Sequence, residues 1–221
     1  VANDNTPNVL FENKGECKFV EVGLSAGVAY NTHGEETSCM GVSGGDYDSD
    51  GDVDLYVTNF YRESNTFYRN SGRGTFEDIT TQVGLEEPTL PMMGWGTQFF
   101  DYDNDGDLDL FVANGHVYPQ IAQKVPDTSY PQHNQLFRNE GAERFTDVSD
   151  TAGPGMDVKK VSRGASFGDY DNDGDLDIFV VNLDDLATLL RNDFGTAQSW
   201  LVVQLFGRGG NGDAAGSRVR L

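Results

Sequence analysis

The chain has 221 residues and a formal charge of −21, from 36 acidic and only 15 basic side chains. So acidic a surface repels nucleic acid and anionic lipid, which need clustered Lys and Arg, so neither is an expected partner. No run of 18 apolar residues occurs, so membrane insertion by a helix is not expected either.

The first patterned segment is Asn8-Val9-Leu10-Phe11-Glu12-Asn13, followed by Phe19, Glu21-Val22 and Gly27. The pattern returns. Asn65–Asn70, Asn134–Asn139 and Ala187–Asn192 repeat the apolar pair and the closing Asn. Phe76 and Phe145 follow that Asn at the same distance as Phe19, then come Asp78-Ile79 and Asp147-Val148, and Gly84 and Gly153 match Gly27. Each copy reads as two short strands joined by a Gly-containing turn. Cys17 and Cys39 could pair in an oxidising compartment or remain free thiols. The chain opens Val1-Ala2-Asn3, without an initiator Met, which fits a start removed by processing or design.

Between these hairpins lies an acidic nonapeptide, present three times. The copies are Asp46-Tyr47-Asp48-Ser49-Asp50-Gly51-Asp52-Val53-Asp54, Asp101-Tyr102-Asp103-Asn104-Asp105-Gly106-Asp107-Leu108-Asp109 and Asp169-Tyr170-Asp171-Asn172-Asp173-Gly174-Asp175-Leu176-Asp177. Together they hold fifteen of the acidic residues. Five carboxylates in nine residues repel one another unless a cation sits among them. Ca²⁺ takes six to eight oxygen ligands, and the spacing of positions 1, 3, 5 and 7, with Gly at 6, matches the first half of an EF-hand loop. Position 12 departs from that pattern. It is Val57, Val112 or Val180 rather than Glu, inside apolar runs that read as strands. The cage is therefore expected to close at position 9. Asp46, Asp48, Asp50 and Asp54, with their counterparts Asp101, Asp103, Asp105, Asp109, Asp169, Asp171, Asp173 and Asp177, are the expected side-chain ligands. Asp52, Asp107 and Asp175 are expected to offer main-chain oxygen and turn their side chains to water. Mg²⁺ prefers stricter octahedral geometry, and Zn²⁺ prefers His or Cys. For a single copy a metal-free acidic turn would be the simpler reading; three copies in one register weigh against it.

Gly41, Gly96 and Gly164 each stand five residues ahead of a loop. One repeat thus reads as a strand into the loop, a strand out of it, and the hairpin. Four strands per repeat, with loops 55 and 68 residues apart, predict an all-β fold of β-propeller blades, about three and a half of them, part of a longer or assembled propeller. Blades are expected over 1–196. The second repeat carries an insertion, Gly115–His133, rich in aromatic residues and Pro. It is expected to be a self-packed loop, with partner binding as the alternative. A metal pair at His116 and His133 is a minor alternative. After Asn192 the pattern breaks: Gln198 replaces the expected Phe. Ser199–Gly207 reads as a longer strand, Gly207–Gly212 as a turn and Ser217–Leu221 as the start of another strand, so 197–221 begins a further β-module or closes the last blade.

Phe167-Gly168, the loop that follows it and Ile178-Phe179-Val180 resemble the FG-GAP/VCBS repeat family over roughly residues 1–196. Asn114–Pro119 and Trp200–Leu221 are similar to proteins that join such repeats to an ASPIC/UnbV module, a family that includes cartilage acidic protein-like secreted proteins. The resemblance implies Ca²⁺ at all three loops and a calcium-binding propeller used in adhesion or at a surface; it implies no reaction. The expected function is a non-enzymatic extracellular module, secreted or at the cell surface, contacting a protein, a glycan or copies of itself. A propeller-based polysaccharide-active enzyme is one alternative. A lectin-like binder stacking sugars on Trp95, Tyr118 and Tyr130 is another.

Overall fold

Alternating apolar residues on short strands need partners on both sides of a sheet, and the chain supplies them by repetition. The computed structural model describes residues 1–141, 144–194, 203–217 and 219. It begins with a hairpin, β1 (Phe11–Asn13) and β2 (Phe19–Glu21), and a single helical turn, α1 (Gly23–Ala26). The first full blade is a four-stranded antiparallel sheet, β3 (Cys39–Gly45), β4 (Asp54–Asn59), β5 (Thr66–Asn70) and β6 (Phe76–Asp78), in chain order. After the turn α2 (Glu86–Thr89), the second blade uses β7 (Gly94–Phe100) and β8 (Asp109–Asn114). The insertion then holds α3 (Ile121–Lys124) and β9 (Gln132–His133), before β10 (Gln135–Asn139) and β11 (Phe145–Asp147) complete the sheet. A short strand β12 (Lys159–Lys160) pairs back onto β9. The third sheet is β13 (Ser162–Gly168), β14 (Asp177–Asn182) and β15 (Thr188–Leu190). The architecture is all-β, built of propeller-type blades, as the repeat predicts. The expected strand from Ser199 lies outside the described residues as far as residue 202, and residues 203–207 carry no strand. The expected turn is closed by Gly207 N–H donating to Gly212 O.

Faces of neighbouring blades pack on each other. Tyr47, Tyr56 and Phe67 of the first blade meet Phe99, Leu110, Val112 and Phe137 of the second. Tyr47 and Phe67 stand edge to face at 4.8 Å. Phe111, Ala113 and Leu136 point to the opposite face of the second blade and pack against Ile178 and Val180. Period-two alternation therefore buries both faces of β8, the strand of the second blade that lies between its two neighbours. Behind the first blade, Val57 and Tyr68 pack against Val28 and Leu10 of the N-terminal segment. Burying one such side chain contributes about 1.5–3 kcal/mol.

The glycine repeat has a steric reason. A Cβ at Gly41 would lie 2.2 Å from Trp95 O, and one at Gly96 would lie 2.8 Å from Ala165 N. Entry strands of successive blades therefore touch backbone to backbone, and only Gly allows that approach. The ladder slips at the same place in each blade, between Cys39 and Gly41, Gly94 and Thr97, and Ser162 and Gly164.

Candidate metal centres at the blade corners

Each acidic nonapeptide links the entry strand of a blade to its second strand, and the three share the same left-handed backbone positions. Position 6 is left-handed at Gly51, Gly106 and Gly174, with φ of 97°, 96° and 98°. Position 4 is left-handed too, at Ser49, Asn104 and Asn172. Asn tolerates that region better than most residues, so Asn104 and Asn172 carry a sequence signal for this turn. The position-6 amide donates to the position-1 carboxylate each time, at 3.0, 2.9 and 3.1 Å. The position-7 amide donates to the position-5 carboxylate at 2.8, 2.9 and 3.1 Å.

Position 9 is the deepest group. Asp54, Asp109 and Asp177 are buried at the start of the second strand. One oxygen of each accepts the position-2 amide, from Tyr47, Tyr102 or Tyr170. The other accepts the amide of the Asn that ends the third strand, Asn70 or Asn139, or of Asn192, two residues past the end of β15. Burial, with like-charged neighbours adding to it, pushes Asp54 up to about 6 and Asp109 up to about 7. Burial likewise raises Asp48, Asp101, Asp103 and Asp171. Among the described residues no Lys or Arg pairs with Asp54 or Asp109; the ion pairs lie elsewhere, as in Arg69–Glu77 and Arg138–Glu140.

Carboxylate oxygens converge to within 4.8 Å of one another in three groups: Asp46, Asp48 and Asp50; Asp101, Asp103 and Asp109; Asp169, Asp171 and Asp177. Asp54 stays outside the first group, and Asp105 and Asp173 stay outside the other two. Asp46 Oδ1 and Asp103 Oδ1 are buried without a hydrogen-bond partner among the described atoms. Convergent oxygens, two of them unsatisfied, with no His or Cys present, fit a hard divalent cation such as Ca²⁺. One expectation is corrected. Asp175 does not turn to water: it is buried and accepts from Asn104 Nδ2 at 2.8 Å, because the neighbouring loop lies within reach. Asp52 and Asp107 are half-buried.

A family model described as an FG-GAP-like repeat matches residues 46–112 and 125–180, spans that include all three loops. The chain belongs to the FG-GAP-like repeat family. It is 29% identical over 211 residues to cartilage acidic protein 1 of Xenopus tropicalis, covering 91% of this chain and 29% of that protein. The human and mouse proteins of the same name match at 29% identity over 210 residues, with the same coverage. The chain thus spans 29% of the length of the curated relatives it matches.

The insertion within these FG-GAP-like repeats is anchored at both ends. Asn114 N–H donates to Asn134 Oδ1 at 3.0 Å, as Asn59 N–H donates to Asn65 Oδ1 in the first blade, so the same bond closes a much longer connection. His116 is buried among Phe60, Tyr61 and Tyr118, and burial lowers its pKa. Its Nδ1 accepts from Tyr118 N–H, while His133 Nδ1 faces Met156 O. Among the described residues the two histidines join no metal-ligating group. Trp95 is not an open stacking platform: Arg163 covers its ring at 4.2 Å, and its Nε1 donates to Gly115 O. Tyr118 is exposed and Tyr130 half-buried. Cys17 is exposed, Cys39 is buried, and both are free.

Proposed function

We propose that the chain is a non-enzymatic extracellular module in which each corner loop binds one Ca²⁺ and the ions brace the blades. The observation that carries this reading is the triplicate loop with its convergent carboxylate oxygens, two of them buried and without a hydrogen-bond partner among the described atoms. Catalysis needs one differentiated constellation, whereas three equivalent corners suit a structural role repeated with each blade. An extracellular setting is supported by the name of the cartilage relatives and by the millimolar calcium outside cells, which suits loops of modest affinity. Within each loop, positions 1 and 3 would hold the ion in all three, with position 5 in the first and position 9 in the other two. The bound ion supplies positive charge that relieves carboxylate repulsion, so binding stabilises the fold.

We propose further that the blades end near residue 196 and that 197–221 begin an ASPIC/UnbV-like module or close the last blade. The face of the third blade on which Phe179 and Leu189 stand part-exposed makes protein contacts. Dialysis against chelator followed by calcium titration tests the core of this reading. The melting temperature should rise by several degrees with calcium, and calorimetry should count three ions per chain. A melting curve indifferent to calcium would sink it.

A further inference from the structure

The three corners are joined to one another by hydrogen bonds. Tyr47 N–H donates to Asp54, and Tyr47 O accepts from Asn139 Nδ2 at 3.0 Å. Asn139 N–H donates to Asp109 at 2.8 Å, and Asp109 also accepts Tyr102 N–H at 2.9 Å. Tyr102 O accepts from Asn192 Nδ2 at 2.6 Å, and Asn192 N–H donates to Asp177 at 2.8 Å. Asp177 accepts Tyr170 N–H at 3.0 Å. The string runs unbroken from the first loop through the second to the third. At each crossing between blades it passes through one Asn, which holds its own blade's closing carboxylate by its backbone and the preceding loop by its side chain. Asn139 is buried, and its remaining Oδ1 accepts Gly141 N–H at 3.1 Å, so its orientation is fixed. A second bridge, Asn104 Nδ2 to Asp175, joins only the second and third loops. The first loop has Ser49 at the position of Asn104.

We propose that Asn139 and Asn192 are positioning residues that make the corners take up calcium as a coupled set, the second and third loops most tightly. The inference rests on the calcium reading above. An ion seated in one loop orders its position-2 residue, and so the carbonyl on which the next blade's Asn docks. That Asn in turn holds the next closing carboxylate, so the second ion meets a loop already partly ordered. Direct electrostatics act in the opposite sense, because the first ion lowers the negative potential at its neighbours. That effect weakens as salt is added. Bonds that fix geometry are not screened in this way.

The test is a calcium titration of the full chain, followed by calorimetry and by the amide resonances of Gly51, Gly106 and Gly174, one reporter per loop. In the unaltered chain the three amides should shift together, along curves steeper than a single-site isotherm. Asn139→Ala keeps the backbone bond to Asp109 and removes the crossing bond. It should move the Gly51 midpoint away from the other two by about fivefold or more, the lower end of ordinary coupling factors. Asn192→Ala should separate Gly174. Asn104→Ser installs the residue the first loop already carries, so it is compatible with folding, and should loosen Gly174 from Gly106 even if the buried Asn139→Ala variant fails to fold. Single-site curves for every amide in the unaltered chain would overturn the coupling while leaving calcium binding intact, as would steep curves unchanged by Asn104→Ser and Asn192→Ala. Amides that never shift would instead remove the calcium reading itself.

Discussion

At the scale of single residues, the decisive groups are the carboxylates at position 9. A buried carboxylate must be offset by hydrogen bonds, by a cation or by a proton. Asp54 and Asp109 each accept two backbone amides, and burial still outweighs those bonds, leaving them at about 6 and about 7. These values are raised above the usual carboxylate range. Without a metal, their contribution to stability is therefore fully present below about pH 4 and is lost as pH rises through 6 to 7. Calcium-free protein should accordingly melt at a lower temperature at pH 8 than at pH 5. Saturating calcium favours the ionised form and should reverse the order. Melting curves of metal-stripped protein at the two pH values, with and without added calcium, read both signs, and the same order in both series would contradict the assignment of these groups.

Among the elements, the second strands were the most legible. Leu55-Tyr56-Val57, Leu110-Phe111-Val112 and Ile178-Phe179-Val180 follow a turn signal and are too short for helices, and all lie in β4, β8 and β14. The turns α1, α2 and α3 were not legible, since four residues are too few to show a helical period. Nor was the pairing of β9 with β12, two residues each, which depends on where the insertion folds back. Asn139 and Asn192 could be picked out as repeated residues, but their partners Tyr47 and Tyr102 are about ninety positions away, beyond local pattern. The glycines of the entry strands were visible as spacing, and their reason appears only when blades meet. That reason can be tested within one repeat position. Gly96→Ala puts a methyl into the backbone of β13 and should cost about 1–3 kcal/mol. Gly164, its counterpart in the third blade, faces open space, so Gly164→Ala should stay within about 0.5 kcal/mol. Urea denaturation of the two variants compares them directly, and equal costs would mean that close approach of the entry strands is not what selects Gly.

For the molecule as a whole, the same sequence position has two fates. Tyr47 and Tyr102 are 3% and 5% exposed, whereas Tyr170 at the same loop position is 52% exposed. Phe111 is fully buried between the second and third blades, while Phe179, its counterpart in β14, is 45% exposed, and Leu189 beside it is 49% exposed. An open depression of about 390 Å³ lies against this face, lined in part by Phe167, Tyr170, Phe179 and Leu189. The residues are those of a blade interior, so the difference lies in coverage and not in chemistry. Phe111→Ala should therefore destabilise the chain by about 3–5 kcal/mol, near ten degrees or more in melting temperature, through lost burial and the cavity left behind. Phe179→Ala should leave the melting temperature of the isolated chain almost unchanged. As a contact surface, the open face should lose association in Phe179→Glu, measured by sedimentation across a concentration series, without a change in the fold seen by circular dichroism. A large loss of stability from Phe179→Ala at high dilution, where no second molecule can cover the face, would show that the third blade is already covered within the chain and would remove the protein-contact reading of that surface.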